Sequence, residues 1–140
     1  MSARPFVVLG LDHVVFRVRD VARMRAFYID VLGCTLEREQ PEIGLVQIRA
    51  GRSLIDFVTL DGALGRMGGA APGTEGHNVD HVCLEIASFD EAALRAYLVA
   101  HGATAGAAGS RYGARGEGPS LYLVDPEGNH LELKGPPASA

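Results

Sequence analysis

The sequence reads as an α+β protein made of two copies of one βαβββ module, and three observations carry that reading. Asp12-His13-Val14 recurs as Asp80-His81-Val82, 68 positions later. Each copy opens a run of alternating apolar residues, as a half-buried strand does. Each run is then followed by apolar residues at helical spacing that stop at a glycine, Gly33 or Gly102. Self-similarity at a fixed shift says that one supersecondary unit has been used twice. It also puts His13 and His81 at equivalent points of two strands.

In the first copy, Leu11 to Val18 alternates, so Val14, Phe16 and Val18 share one face while His13, Val15 and Arg17 share the other. Asp20 is a good N-cap for a helix carrying Val21, Met24, Phe27, Tyr28, Val31 and Leu32. Leu36 to Gln40, Leu45 to Ala50 and Leu54 to Leu60 read as three strands, separated by turns at Pro41 to Gly44 and Gly51 to Ser53. Residues 11–60 thus form the first module. The Gly-rich stretch 61–78 has no periodicity and reads as a linker, with His77 exposed in it.

The second module is read over 79–134. Val79 to Ala87 is its first strand, Ser88 and Glu91 have capping-box spacing, and Ala92 to His101 is its helix. A weak strand is expected near Ala103 to Ala107, then a mobile loop over Gly106 to Gly118. Leu121 to Val124 and Asn129 to Lys134 close the module around a turn at Asp125-Pro126-Glu127-Gly128. The tail from Gly135 to Ala140 reads as loose.

The 140 residues suffice for a single domain with its own core, and 47% hydrophobic with 21% charged residues is an ordinary globular balance. A net charge of -4 argues against nucleic acid and anionic membranes, which reward a clustered basic face. Phe6 to Leu11 is apolar but too short to span a bilayer. Cys34 and Cys83 fit no metal-binding cysteine spacing, and two free thiols point to a reducing, cytoplasmic location.

Asp56 interrupts an apolar strand, and Glu132 interrupts the matching strand of the second copy. An unpaired buried carboxylate costs several kcal/mol, so each acid calls for a partner or a metal. A single strand histidine is more often structural than a ligand. Two histidines and two acids paired by a repeat instead outline a site for a divalent transition metal with positions open to water or substrate.

On LDHVVFRVRD, the helix AFYIDVLG and the close LYLVDPEGNHLEL, the chain resembles the vicinal oxygen chelate superfamily. That group includes glyoxalase I, extradiol dioxygenases, fosfomycin thiol transferases, methylmalonyl-CoA epimerase and metal-free bleomycin resistance proteins. The resemblance covers Leu11 to Lys134 and implies paired βαβββ modules curled into an open, cup-like half-barrel, usually in a homodimer. It places His13, Asp56, His81 and Glu132 on the four ligand positions of glyoxalase I, with Asp56 where Glu or Gln is usual. The metal it implies is nickel, zinc, cobalt, manganese or iron. It further implies a lyase or isomerase acting on a small carbonyl or hydroxy-carbonyl substrate, with Glu132 moving the proton as the metal stabilises an enediolate.

The neighbouring residues leave other activities open. Arg17 matches the arginine that contacts the glutathione carboxylate, yet Leu60 stands where that enzyme has asparagine. His13, His81 and Glu132 match the iron-binding triad of an extradiol dioxygenase, whereas Gly113, Ala114 and Arg115 stand where its catalytic histidine is expected. Ser120 and Tyr122 resemble antibiotic-contacting positions of the thiol transferases, though Val15 replaces their threonine. A ligand-sequestering resistance protein is a further alternative. His130, two residues before Glu132, shares its face and is a candidate substrate contact, as is Arg115 on the Gly-rich loop.

Overall fold

The computed structural model describes residues 4–137, so residues 1–3 and the end of the tail, 138–140, lie outside the described residues. The first half of the chain runs β1 (His13–Val18), α1 (Val21–Ala26), β2 (Thr35–Gln40), β3 (Leu45–Ala50) and β4 (Ser53–Thr59). The second runs β5 (Val82–Glu85), α2 (Glu91–Ala100), β6 (Thr104–Gly113), β7 (Gly116–Val124) and β8 (His130–Lys134). Two four-stranded sheets result, ordered β1-β4-β3-β2 and β5-β8-β7-β6. In each, the first strand lies parallel to the last and the remaining pairs are antiparallel. The sheets do not close on each other, which leaves an open cup architecture.

Local chemistry accounts for most of the element ends. The Asp20 carboxylate accepts the Arg23 N–H at 3.0 Å and starts α1. The helix runs on through a wider turn, Phe27–Val31, in which the Leu32 N–H reaches back to the Phe27 carbonyl at 3.2 Å. Gly33 ends it at φ 77, a conformation that side chains with a Cβ resist. The alternation in β1 buries Phe16 and Val18 completely and leaves Val15 45% exposed. One apolar cluster joins both halves, from Phe16, Tyr28 and Phe57 to Leu98, Leu121 and Leu131. Among the described residues no helix is long and apolar enough to cross a membrane.

Three local expectations are corrected. The cap of α2 is Asp90, which accepts the Ala93 N–H at 3.1 Å; the helix starts at Glu91, too late for Ser88 to reach its first free N–H groups. The strand expected over Val79 to Ala87 is confined to Val82–Glu85. Most consequentially, Gly106 to Gly118 is not a mobile loop but most of a long hairpin, β6 and β7, closed by Ala114 and Arg115. Its glycines hide the two-residue period because they have no side chain to show it. Gly113 and Gly118 instead make room for Lys134, whose side-chain atoms stand 3.0 and 3.1 Å from where their Cβ atoms would be.

Candidate metal centre

The repeat becomes geometry at the parallel strand pairs. Val15 is the register partner of Asp56, and Cys83 is the register partner of Glu132. His13 and His81 each stand two residues before that partner, so each sheet carries a histidine and an acid on one face in the same relation. His81 Nε2 approaches Glu132 Oε1 at 3.2 Å, and Glu132 is only 6% exposed. In the other sheet Asp56 is buried, with Oδ2 accepting from Gln47 Nε2 at 3.1 Å. Its Oδ1 is buried without any hydrogen-bond partner among the described residues.

The aspartate before each histidine has a use that the sequence motif displayed without explaining. Asp12 holds His13 Nδ1 at 2.8 Å, and Asp80 holds His81 Nδ1 at 2.7 Å. A carboxylate on Nδ1 fixes the imidazole's tautomer and orientation and leaves Nε2 as the lone-pair donor. The hydrogen bond His13 donates to the Asp12 carboxylate raises its pKa, aided by the charge of Asp56. The reciprocal bond from His81 lowers that of Asp80.

These four residues form two half-sites, not one cluster. His13 and Asp56 belong to one sheet, His81 and Glu132 to the other. Among the described residues no three His, Cys, Asp or Glu side chains of a single chain gather closely enough to hold a metal ion. The donor chemistry nevertheless suits a divalent metal: two oriented Nε2 atoms, one buried carboxylate beside an imidazole, and one buried carboxylate oxygen without a partner.

The remaining candidates separate. The Tyr122 ring meets His81 edge-on at 5.5 Å, and Tyr122 is the register partner of Glu132, so it lies beside the second half-site. Ser120 is fully buried and its hydroxyl accepts from Arg111 Nη1 at 2.7 Å. Arg115, at the hairpin tip, stands 3.5 Å from Glu85. The exposed His130 ring lies 5.7 Å from that of His77. Arg17 is engaged elsewhere, donating to the carbonyls of Gly65, Gly68, Gly69 and Ala70 at 2.6 to 3.1 Å. It straps residues 65–70 to β1.

Arg111 and Lys134 escaped the sequence reading. Arg111 stacks 4.5 Å above the Tyr122 ring, and Lys134 is 7% exposed. Alternation was the available signal, since Lys134 shares the face of Glu132 two residues away. Arg111 had none, because the glycines around it carry no strand period.

The family model for the Glyoxalase/Bleomycin resistance protein/Dioxygenase superfamily matches residues 10–133. The chain belongs to that superfamily. Solved structures similar to it include a virulence protein from Salmonella typhimurium, at 22% identity and TM-score 0.75, covering 94% of this chain and 99% of that one. A lactoylglutathione lyase from Agrobacterium tumefaciens is 19% identical with TM-score 0.62, covering 94% and 96%. A fosfomycin resistance protein from Listeria monocytogenes is 17% identical with TM-score 0.68, covering 94% and 97%. At these identities the likeness is one of fold. A search of curated proteins gives no match.

Proposed function

We propose that the protein is a metal-dependent, glyoxalase-like lyase or isomerase that acts on a small carbonyl or hydroxy-carbonyl substrate as a homodimer. The observation that carries this reading is the duplicated His–acid pair, each histidine pinned through Nδ1 by the aspartate before it. Two copies of the chain can bring His13 and Asp56 of one protomer to His81 and Glu132 of its partner, which completes a four-ligand set. The open faces suit such a partner: Val15 is exposed beside His13, and the arm Phe6, Val7, Val8, Leu9 and Leu11 is exposed throughout. The two free thiols support a cytoplasmic home.

In this site a bound nickel, zinc, cobalt, manganese or ferrous ion would supply Lewis acidity to paired substrate oxygens. Asp12 and Asp80 hold both imidazoles through Nδ1, so Nε2 is the atom each would present to the ion. Glu132, buried and close to His81, would take the proton from the hydroxyl-bearing carbon beside the carbonyl and return it to the carbonyl carbon, while the hydroxyl proton passes to the former carbonyl oxygen, giving a net isomerisation. A ring-cleaving dioxygenase fits less well, because Gly113, Ala114 and Arg115 stand where such an enzyme is expected to carry its catalytic histidine.

The test is elemental analysis of purified protein, chelated and refilled with each candidate ion, alongside assays with a hemithioacetal and with a catechol under oxygen. About one metal per chain, lost in His81→Ala and Glu132→Gln variants that keep their fold, is expected. Metal content unchanged in both variants would remove the site, and oxygen uptake with the catechol would replace isomerase by dioxygenase.

A further inference from the structure

The face of the second sheet that bears Glu132 carries more positive charge than the metal reading uses. Two adjacent cross-strand rows lie on it. One consists of Tyr122, Glu132 and Cys83; the next consists of Ser120, Lys134 and Glu85. Arg111, on β6, leans over both, with Nη1 on the Ser120 hydroxyl at 2.7 Å and its carbon 4.5 Å above the Tyr122 ring. Lys134 Nζ donates to the Gly116 carbonyl at 2.9 Å, and it lies 3.1 Å from where a Cβ on Gly118, the register partner of Arg111, would be. The absence of that side chain is what lets the ammonium sit beside the Arg111 strand.

Neither cation has a carboxylate partner among the described residues. Glu132 is taken up by His81, and Glu85 by Arg115 at 3.5 Å. Arg111 spends only Nη1 on the protein, leaving Nε and Nη2 to donate in a fork, and Lys134 spends one of three N–H bonds. Holding a nearly buried ammonium without a counter-charge is unfavourable, so an anion arriving here is rewarded. The hydrogen bond to buried Ser120 and the stacking on Tyr122 restrict the guanidinium in advance, which lowers the entropy lost on binding.

We propose that Arg111 and Lys134 form a subsite for an oxyanion of the substrate, a carboxylate or a phosphoryl-type group. Lys134 follows Glu132 by two strand positions, so the subsite lies about 7 Å along the sheet from the proton-transferring carboxylate. This deepens the proposed function and rests on Glu132 belonging to the reacting centre. The substrate then carries its reacting carbonyl at one end and an anionic group about five or six bonds further on. The face selects against neutral aldehydes.

The experiment is an NMR titration of the chelated, full-length protein with inorganic phosphate and, separately, with lactate, following the Arg111 side-chain Nε–H resonance and the backbone N–H resonances of Ser120 and Tyr122, which every variant retains. One of the two anions is expected to saturate that shift at millimolar concentration, and which one does so identifies the group. Arg111→Gln and Lys134→Met are each expected to weaken binding about tenfold, with Arg111→Lys in between because it keeps the charge but loses the fork. Metal content of the same variants, measured after refilling separate aliquots with the ion, is expected to match the refilled wild type. An Arg111 resonance that neither anion moves, or affinities equal in wild type and both variants, would overturn the subsite. Failure of the refilled wild type to take up any ion would instead overturn the metal reading, so the two failures are distinguishable.

Discussion

The Tyr28 hydroxyl donates to Asp125 Oδ2 at 2.9 Å, joining the helix of the first module to the closing turn of the second. Both residues are buried. Asp125 also accepts from the Asn129 side chain and from the N–H groups of Glu127 and Asn129. Replacing Asp125 with alanine strands these donors, and each unsatisfied buried group costs roughly 1–3 kcal/mol. Asp125→Ala is expected to lose about 3–5 kcal/mol in urea unfolding, and Tyr28→Phe about 1–2 kcal/mol. A loss under 1 kcal/mol for Asp125→Ala would show that the turn is held by other contacts.

Burial raises the Asp125 pKa, and the hydrogen bonds from Asn129, Tyr28 and Glu127 offset only part of the rise. Folding therefore favours the protonated form. Its contribution is complete below about pH 4, the unfolded carboxyl's range, and fades as pH rises through the raised native value. Comparing the pH dependence of unfolding in wild type and Asp125→Asn isolates this slope. An identical slope in the two proteins would refute it.

Arg17 offers a sharp choice between strap and substrate contact. With its guanidinium on four main-chain carbonyls, Arg17→Ala is expected to accelerate amide exchange in residues 65–70 by about tenfold or more. Gly68→Ala should act alike, because a Cβ there would stand 2.4 Å from Arg17 Nε. A raised KM with unaltered exchange would instead put Arg17 on the substrate.

Gly65 is fixed more rigidly. A Cβ there would lie 1.8 Å from the Thr59 carbonyl oxygen, a main-chain atom that cannot swing aside. Gly65→Ala is expected to cost about 2 kcal/mol or more and to disturb the end of β4, three residues beyond Asp56. A thermal midpoint unchanged from wild type would show that the segment can shift as a body.

The Asp-His repeat made most of the fold legible and marked both histidines of the candidate metal centre, because it labels the same strand position twice and its aspartates contact the imidazoles. Tyr122 and Ser120 came from the family resemblance, and the register puts both on the face of Glu132. What failed to show has physical reasons. Glycines in β6 and β7 carry no period, so the hairpin and Arg111 on it were invisible. The partners of Arg17 are carbonyls, which every residue possesses and no motif records. Equivalent positions in two modules also leave open which module faces which, since that is settled by packing between surfaces remote in sequence.

Within one chain the modules are locked through Tyr28 and Asp125 and through Glu127, which accepts the N–H groups of Arg19 and Asp20 at 2.7 to 3.0 Å. This lock joins a helix to a turn and leaves the half-site faces free to meet those of a partner. If the centre is shared in this way, His13→Ala and His81→Ala homodimers should each bind metal poorly at both sites. Mixed after partial unfolding, they should form heterodimers in which one site lacks both histidines and the other lacks none. Metal content should then recover to about one ion per heterodimer, together with isomerase activity. Recovery in the mixture but in neither parent establishes sharing across the dimer. If the mixture stays as empty as its parents while subunit exchange is verified by mass spectrometry, each centre is built within one chain and the sheets must close on each other to form it.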